Sequence, residues 1–440
     1  MTSKNFLDLQ LNEELVNVTE KLFFKEPTQI QSEVIPEILK GKSIIGQSQT
    51  GSGKTHAFLL PLFNSIEENK KEVQYVITVP TRELAMQIHA HIEEIINLAN
   101  KNNTWTSRLL VGGLDRERMK KQLKNVPDII IGTPGRILDM VKDDAVSIYT
   151  AKAFVVDEAD LMLDLGFLTE LDQLLVRCKK NIQTLVFSAT IPEKLEHFFK
   201  KYLLQPTHIK IEQSLTPVSM EHKLVEVRHR DPVKIIKHIA NTVRPYVAIV
   251  FANNKEKANE LFKDLKKAGL NVGILHGGLS ARERKRMVND IRDLKYEYIV
   301  ATDLASRGID IPGVSHIINV ELPSEVDFYI HRVGRTARAG NAGMAISFFN
   351  DKDEELVLDL EKRGIIFDYC DITESGWIER KPWNKREKRK HATTDLDRLA
   401  WQQVKKPKKV KPGYKKKMKN QQESIKRSLV QQKNKKFRKK

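Results

Sequence analysis

Cysteine is scarce in this chain of 440 residues, which contains only Cys178 and Cys370. They lack the close paired spacing that holds a zinc ion, and two cysteines cannot build a multi-disulfide framework. Disulfide-rich secreted domains and cysteine-based zinc modules are therefore excluded. A reducing, cytoplasmic location is expected.

Long hydrophobic runs are also missing. No apolar stretch approaches the roughly 20 residues that a membrane-spanning helix needs. The opening segment MTSKNFLDLQLNEELVNVTE lacks the uninterrupted apolar core of a signal peptide. We therefore expect neither membrane insertion nor export. Hydrophobic residues still make up 40% of the chain, which is enough for buried cores, and the length predicts two or three domains.

Acidic residues are scarce at the C-terminal end. Residues 381–440 hold 24 Lys or Arg against 4 Asp or Glu, a net charge of +20, whereas residues 1–380 hold 51 against 53. Such a segment cannot offset its ordering entropy by burial, so residues 376–440 are predicted to form a basic, largely disordered tail. Nucleic acid is its preferred partner. A solubilising role stays open, and membrane-surface binding is disfavoured because no amphipathic apolar face is present. The tail also contains aromatic rings that can stack on bases, at Trp383, Trp401, Tyr414 and Phe437.

Short apolar runs of strand length alternate with helix-length patterns, which is typical of α/β units with parallel sheets. The sequence predicts two such sheets, separated by residues 204–220, which contain two prolines and no long helical pattern. Nearly every run ends in a loop rich in Gly, Thr or charge, so two functional rims are expected to face across a cleft. The first set of runs covers residues 43–45, 75–79, 109–111, 129–131, 154–156 and 184–187, and the second covers residues 246–251, 272–275, 298–301, 316–320 and 345–349.

A phosphate-binding loop is the sharpest local signal. Its glycines let backbone N–H groups approach phosphates, Lys54 can neutralise the β- and γ-phosphate oxygens, and the Thr55 hydroxyl can ligate magnesium. A Gly-rich connecting loop is the alternative, and nucleotide binding is the preferred interpretation. The loop comprises Ser48, Gln49, Thr50, Gly51, Ser52, Gly53, Lys54 and Thr55.

An acidic pair follows the apolar run 153–156. Asp157 at the strand end is placed to hold magnesium through its waters. Glu158 beside it can orient and deprotonate a water for in-line attack on the γ-phosphate. An acidic cluster alone is typical of a solvated face or a helix cap. Its pairing with the phosphate loop favours an ATP-hydrolysing site instead.

Together these motifs resemble a DEAD-box ATP-dependent RNA helicase of superfamily 2, of the bacterial cold-shock type, and the resemblance covers about residues 1–370 in motif order. It implies two RecA-like domains joined by a short linker and followed by the basic tail. The implied divisions are an adenine-reading segment at 1–32, an ATP-binding helicase domain at 33–207, a linker at 208–220, a C-terminal helicase domain at 221–375 and the tail at 376–440.

The adenine-reading segment is implied by Phe24, Thr28 and Gln31. Phe24 would stack on the base, and Gln31 would bond the adenine edge, since a carboxamide both donates and accepts. Phe23 stands where the family commonly has Gly.

The resemblance also implies contacts with the RNA backbone. Arginines can pair with phosphates, and glycine permits close backbone approach. Ser188 and Thr190 resemble the motif that couples the ATP site to the RNA face, although their hydroxyls could equally cap the next helix. The implied RNA-binding residues are Arg82, Gly113, Thr133 and Arg136 in the first domain, and Arg284 and Thr302 in the second.

The second domain is implied to complete the ATP site. Asp310 would hold the ribose, and Arg335 and Arg338, three residues apart on one helical face, would act as arginine fingers on the transferring phosphate. Two surface arginines in weak ion pairs are the alternative. With Glu158 and Lys54, these arginines are the predicted catalytic residues.

The sequence therefore predicts an RNA-dependent ATPase that uses ATP and Mg²⁺ and separates structured or duplex RNA, largely independently of base sequence, by closing two domains. The tail would tether RNA. A superfamily 2 DNA helicase and an RNA-binding scaffold with incidental ATPase activity are the rival interpretations. We expect a monomer, because no coiled-coil heptads are present. A cytoplasmic location without membrane contact is also expected. Cold-shock response or ribosome biogenesis is the expected context, and ribosomal or RNA-decay proteins are candidate partners.

Overall fold

A parallel seven-stranded sheet organises the first lobe of the computed structural model. Its strands hydrogen-bond in the order β3-β4-β2-β5-β6-β1-β7, and every pairing is parallel. The strands are β1 (Ile44–Gln47), β2 (Tyr75–Thr78), β3 (Ser107–Leu110), β4 (Ile129–Gly132), β5 (Ala153–Val156), β6 (Gln183–Ser188) and β7 (Thr207–Lys210). The structure describes residues 5–49, 51–113, 115–203, 206–211, 220–303, 309, 311–336, 342–382, 403–404, 418, 420–425 and 428.

Helices connect the strands of this lobe. Several begin at a side chain that accepts a backbone N–H, as Thr81 does from Leu84 at 3.2 Å, so the positions of the helices are set locally. A short 3₁₀ helix, Phe6–Leu9, precedes them. They are α1 (Glu13–Lys21), α2 (Gln29–Leu39), α3 (Lys54–Asn64), α4 (Arg82–Leu98), α5 (Arg116–Leu123), α6 (Pro134–Lys142), α7 (Ala159–Asp164), α8 (Leu168–Leu175) and α9 (Glu193–Lys200).

The second lobe is built around an eight-stranded sheet in the order β10-β11-β9-β12-β13-β8-β14-β15. All its pairings are parallel except that of β14 with β15. The strands are β8 (Met220–Glu226), β9 (Ala248–Phe251), β10 (Val272–Leu275), β11 (Tyr298–Ala301), β12 (His316–Asn319), β13 (Gly343–Phe349), β14 (Phe367–Thr373) and β15 (Gly376–Glu379). The helices are α10 (Pro232–Thr242), α11 (Lys255–Lys267), α12 (Ala281–Arg292), α13 (Val326–Val333) and α14 (Glu354–Lys362), and a 3₁₀ turn covers Asp351–Asp353.

Burial of the central strands on both faces explains their uniformly apolar sequences. In β4, Ile129 and Ile131 belong to one apolar cluster, and Ile130 belongs to another, with all three side chains fully buried. Parallel strands covered by helices on both sides are expected to lack polar alternation. The side chains with chemical function are therefore left to the loops at the strand ends.

The predicted α/β class with two parallel-sheet domains is confirmed. Two boundaries shift. β7 pairs with β1, so the first sheet extends into the range predicted as linker, and β8 already begins at Met220. β15 pairs with β14, so the tail starts at residue 380 rather than 376.

The chain divides into two compact units, residues 1–379 and residues 380–440. In the second unit, residues 420–425 are helical; most of the predicted tail lies outside the described residues. Among the helices that the structure describes, none combines the length and apolarity required to cross a bilayer.

Candidate functional site

The phosphate loop joins β1 to α3 and is closed by its own side chains. Lys54 Nζ donates to the carbonyl oxygen of Ser48 at 2.9 Å, so this buried ammonium lies across the loop. Ser52 Oγ lies 2.8 Å from Ser48 Oγ and donates to the Gln49 carbonyl oxygen. Gly53, with φ of 97°, directly precedes α3. The loop thus presents one cation at a helix N-terminus, an arrangement that suits a phosphate.

Gln31 connects the adenine-reading segment to this loop. Its Oε1 accepts from the backbone N–H of Thr28 at 2.9 Å, and its Nε2 donates to the Gly53 carbonyl oxygen at 3.2 Å. A Cβ on Gly53 would lie 2.8 Å from Gln31 Nε2 and from Thr28 Oγ1, so only glycine fits there. A carboxamide has two donor hydrogens and two acceptor lone pairs. Among the described residues, one hydrogen and one lone pair of Gln31 therefore have no partner and are left for a ligand.

Phe24 lies in a row of aromatic rings beside the loop. It stacks on Phe6 at 6.3 Å and meets the edge of His56 at 4.8 Å, and His56 packs against His91. Phe23 before it has φ of 59° and is 90% exposed. This residue thus adopts the left-handed conformation in which glycine is favoured.

Three carboxylates lie after β5. Asp157 is buried and accepts from the backbone N–H of Glu158 at 2.9 Å. Burial raises the pKa of Asp157, the neighbouring Glu158 raises it further, and Lys54 opposes the rise. Lys54 Nζ lies 3.8 Å from Glu158 Oε1. Glu158 itself has φ of 52°, a strained conformation of the kind that clusters at functional sites.

These oxygen donors fit magnesium. Asp157 and Glu158 place two carboxylates near the ammonium of Lys54, and hard oxygen ligands are those that Mg²⁺ prefers. Within the described residues, no group of three His, Cys, Asp or Glu side chains is arranged to chelate a metal.

Asp160 links the two lobes. Its Oδ2 accepts from the N–H and from Oγ1 of Thr190, each at 3.0 Å, and its own N–H donates to Ser188 Oγ at 3.1 Å. His331 Nε2 in α13 lies 3.2 Å from the same Oδ2, although without the alignment of a hydrogen bond. Ser188 and Thr190 therefore bind Asp160, and α9 instead begins after Pro192 without a side-chain cap.

The predicted RNA contacts of the first lobe lie at the ends of β2, β3 and β4. The Arg82 guanidinium lies against the Gly112–Gly113 turn, where a Cβ on Gly113 would be 2.8 Å from Arg82 Nη1. Thr133 directly precedes α6, and Arg136 in its first turn is partly exposed, 3.7 Å from Asp139. The structure therefore gathers these four residues at one edge of the sheet.

Arg284 of α12 reaches the first lobe. Its Nε donates to Glu83 Oε1 in α4, directly after Arg82. Thr302 follows β11 and lines a cavity of about 700 Å³ with Asp303 and with Asp164 of α7. Arg284 and Thr302 are thus placed where the second lobe meets the first.

A buried arginine organises the second lobe behind this cleft. Arg332 forms a bidentate pair with Asp303, from Nε and Nη2, and its Nη2 also donates to Asn253 Oδ1 at 2.7 Å. Arg335 donates to the carbonyl oxygens of Ile309 and His331. It therefore lies beside the residue that precedes Asp310. Thr50, Asp310 and Arg338 lie outside the described residues.

Sequence patterns missed several of these residues because their partners are remote. Asp160 and His331 are 171 residues apart in the sequence, and nothing local indicates that they meet. The same holds for the pairs of Glu83 with Arg284 and of Asp303 with Arg332. These charged side chains are seen to be buried and paired only in the folded structure.

Comparison with known proteins relates both lobes to helicases. The family model described as "DEAD/DEAH box helicase" matches residues 28–198, and that described as "Helicase conserved C-terminal domain" matches residues 231–340. The "DEAD-box ATP-dependent RNA helicase CshB" of Bacillus subtilis is 47% identical over 428 residues, which cover 97% of this chain and 98% of the relative. The protein of the same name from Staphylococcus aureus is 39% identical, over 88% of this chain and 86% of that relative.

Solved structures give the same result. S. cerevisiae Dbp5 bound to RNA and ADP BeF3 has a TM-score of 0.73 and 30% identity, over 83% of this chain and 95% of that chain. Mss116p bound to ssRNA and AMP-PNP has a TM-score of 0.74 and 26% identity, over 85% of this chain and 81% of that chain. Both are complexes that contain RNA and nucleotide together.

Proposed function

The chain belongs to the family of DEAD-box ATP-dependent RNA helicases and is an ATP-hydrolysing RNA helicase, and we propose that it remodels structured RNA by closing its two lobes around ATP and RNA. Each ligand would bind the closed form better than the open form. Each ligand then favours the other through one shared equilibrium. Hydrolysis would reopen the cleft and release the RNA.

The contact between Asp160 and His331 is the observation that carries this proposal. Asp160 lies two residues after Glu158, and it is held by Ser188 and Thr190 within its own lobe. Its approach to His331 is made only when the lobes are together. Dbp5 and Mss116p, the structural relatives, hold RNA and nucleotide in one complex, which supports a closed form that contains both.

The chemistry is assigned to residues on both sides of the cleft. Glu158 would orient a water and take its proton for in-line attack on the γ-phosphate, while Lys54 neutralises phosphate oxygens. Thr55 and Asp157 would hold Mg²⁺, which screens the phosphate charge when bound. Arg335 and Arg338 would stabilise the transferring phosphoryl group.

Recognition of the nucleotide is assigned to both lobes. Phe24, Thr28 and Gln31 would hold the adenine, and Asp310 the ribose. The phosphate loop would hold the phosphates through Ser48, Gln49, Thr50, Gly51, Ser52, Gly53, Lys54 and Thr55.

RNA would be held by its backbone. Phosphate and sugar contacts position a strand without reading its bases, so the enzyme would act on duplex or structured RNA of many sequences. The proposed contacts are Arg82, Gly113, Thr133, Arg136, Arg284 and Thr302.

The basic C-terminal segment is assigned the role of a tether. Residues 381–440 carry a net charge of +20, whereas the rest of the chain is close to neutral. Deleting this segment should weaken RNA affinity most at low salt and flatten the salt dependence, which is about −0.7 in log–log slope per phosphate neutralised on a single strand. ATPase activity at saturating RNA should persist. An unchanged salt slope after deletion would contradict the tether and leave a solubility or protein-binding role.

Stimulation of ATPase by RNA and by DNA of the same sequence tests the function itself. We expect stimulation by RNA only, and equal stimulation by DNA would favour a superfamily 2 DNA helicase. An RNA-binding scaffold with incidental ATPase predicts a different result. In that case a Glu158→Gln variant would capture the same RNAs in cells and replace the wild type fully.

The cellular setting proposed for the enzyme is the cytoplasm, as a monomer, in cold-shock response or ribosome biogenesis. The resemblance to cold-shock helicases and the absence of heptad repeats support it. Ribosomal or RNA-decay proteins are the proposed partners. Crosslinking of RNA in cells tests this setting: recovery of ribosomal precursors would support it, and recovery of unrelated RNAs alone would contradict it.

A further inference from the structure

The two lobes carry the same kind of element at the same place in their sheets. β3 and β10 are the first strands in the order of their sheets. Each leads to a Gly-Gly pair, at residues 112–113 and 277–278, and then to a basic helix, α5 or α12. The sequences GGLDRERMKK and GGLSARERKR are similar as well. The chain therefore places one basic helix beside the Gly-Gly turn of each lobe.

Each helix exposes three cationic side chains on one face. On α5 and at its C-terminal end they are Arg118, Lys121 and Lys124, and on α12 they are Arg282, Lys285 and Arg286. Residues three or four positions apart share a helical face. None of the six side chains forms a hydrogen bond or ion pair with a residue in the described part of the chain.

Neighbouring cations on the same helices behave differently. Arg116 and Lys120 of α5 both pair with Asp143, at 2.5 and 3.1 Å. Arg284 of α12 reaches Glu83 in the first lobe and is largely buried. The cations that form ion pairs are thus separate from the six exposed ones, which form no ion pair or hydrogen bond with a residue that the structure describes. We call the two sets of three the α5 basic face and the α12 basic face.

We propose that the α5 and α12 basic faces bind RNA phosphates that lie outside the interlobe cleft, one face on each lobe. The proposal rests on the proposed function. Each helix follows or contains a residue proposed to contact RNA: Gly113, with φ of 88°, precedes α5, and Arg284 lies in α12. A strand held at these two residues continues past the two helices. Its flanking phosphates then meet three unpaired cations on either lobe.

The composition of the faces favours RNA over an acidic protein. Protein interfaces have an apolar or aromatic centre. The other exposed side chains of the two helices are polar or charged, however, and form no apolar centre: Arg116, Glu117 and Gln122 on α5, and Glu283, Asn289 and Arg292 on α12. Phosphate neutralisation by Lys and Arg needs no such centre and reads no sequence. A duplex arm on each side of the bound single strand is the RNA that these faces fit best.

The test uses the full chain and two RNAs. One RNA is a short single strand that fills only the cleft, and the other carries the same strand flanked by duplex arms. The variants are the triple substitutions Arg118→Gln, Lys121→Gln, Lys124→Gln for the α5 basic face and Arg282→Gln, Lys285→Gln, Arg286→Gln for the α12 basic face. The matched control removes three exposed cations of the second lobe that also lack a described partner, by Lys234→Gln, Lys237→Gln and Arg244→Gln.

Each triple variant should bind the armed RNA less tightly, on the order of tenfold at low salt, and the steepness of its log–log salt dependence should fall by up to about 3, since each duplex phosphate contributes about 0.9. Affinity for the short strand with AMP-PNP, and ATPase at saturating short strand, should stay at the wild-type level. The control variant should bind both RNAs with wild-type affinity.

Two results would overturn the proposal. Armed-RNA affinity equal to that of the control would show that the faces do not bind RNA and would leave them to an acidic protein. An equal loss on both RNAs would show that the substitutions act on the cleft and not on flanking RNA. Failure of the proposed function is a separate outcome, because it appears in the wild type as ATPase that RNA does not stimulate.

Discussion

His331 in the second lobe lies with Nε2 3.2 Å from Oδ2 of Asp160 in the first lobe. The same oxygen accepts both the N–H and the hydroxyl of Thr190. Asp160 is therefore shared between the segment that follows β6 and the opposite lobe, two residues beyond the carboxylate assigned to water activation. A contact between the two lobes is therefore made two residues away from Glu158.

Glu158→Gln should retain ATP binding and nearly stop hydrolysis, because an amide cannot accept the proton of the attacking water. Lys54→Ala should instead weaken nucleotide binding, since the buried ammonium is lost. Nucleotide affinity and RNA-stimulated turnover measure the two effects separately. Glu193→Gln, at an exposed position of α9, is the matched control. Near-wild-type turnover in Glu158→Gln would remove Glu158 from the mechanism.

Arg338→Ala and Arg335→Ala should each lower ATP turnover, Arg338→Ala by about the 10³ or more attributed to arginine fingers. RNA binding without nucleotide should persist. Arg335 also donates to Ile309 and His331, so its loss is expected to disturb the second lobe as well. Arg363→Ala on the surface is the control. Unchanged turnover in a folded Arg338→Ala protein would show that the second lobe does not complete the ATP site.

Phe23→Gly should stabilise the first lobe. Phe23 is 90% exposed and has φ of 59°, so little burial is lost, and a left-handed conformation costs a residue with a Cβ about 1–2 kcal/mol. The greater freedom of glycine in the unfolded chain cancels part of this gain. Phe23→Ala keeps the strain and serves as the control. Urea unfolding should place the glycine variant above the alanine variant, and the reverse order would refute the strain argument.

His222 should make the second lobe less stable in mild acid. Burial lowers the pKa of His222 from 6.5 to about 4, against a smaller raising effect of Asp368, and its Nδ1 lies 2.9 Å from the Tyr329 hydroxyl. As the pH falls, His222 is therefore protonated in the unfolded chain before it is protonated in the folded protein. The contribution of neutral His222 is complete above pH 6.5 and is lost as the pH falls towards 4. At about 1.4 kcal/mol per pKa unit, the loss is roughly 3 kcal/mol.

Unfolding free energies across this pH range test the assignment, with His222→Asn as the variant and His229→Asn, at an exposed position, as the control. The variant should show a flatter pH dependence than wild type and control. Identical slopes in all three proteins would mean that His222 is not buried neutral.

The parts of the fold that sequence predicts well are local. The phosphate loop and the acidic pair each consist of a few consecutive residues. Each directly follows a short, continuous apolar run, which identifies the preceding segment as a buried strand. β7, β8, β14 and β15 were missed because they mix polar and apolar residues: THIK in β7 and MEHKLVE in β8 show no uniform apolar run. Their place in the sheets comes from pairing with strands far away in sequence.

The sequence predicts the site residues of each lobe but not the contacts between the lobes. Motifs identify Asp157, Glu158 and Lys54 because their chemistry is visible in the residue types. The interlobe pairs are not visible in the sequence, since Glu83 and Arg284 are 201 residues apart and meet only in the folded chain. The left-handed Phe23 is intermediate: a missing glycine marks an unusual turn, but only the backbone geometry shows that the chain keeps the turn at the cost of strain.

The central claim is that lobe closure couples ATP and RNA, and the most direct test measures each affinity with and without the other ligand. In the wild type, AMP-PNP should tighten RNA binding by a factor within the usual range of about 5 to 150, and RNA should tighten AMP-PNP binding by the same factor. Glu83→Gln, which weakens the pair with Arg284, should lower that factor, while Glu94→Gln on the same helix should not. An RNA affinity of the wild type that does not change with AMP-PNP would contradict the account.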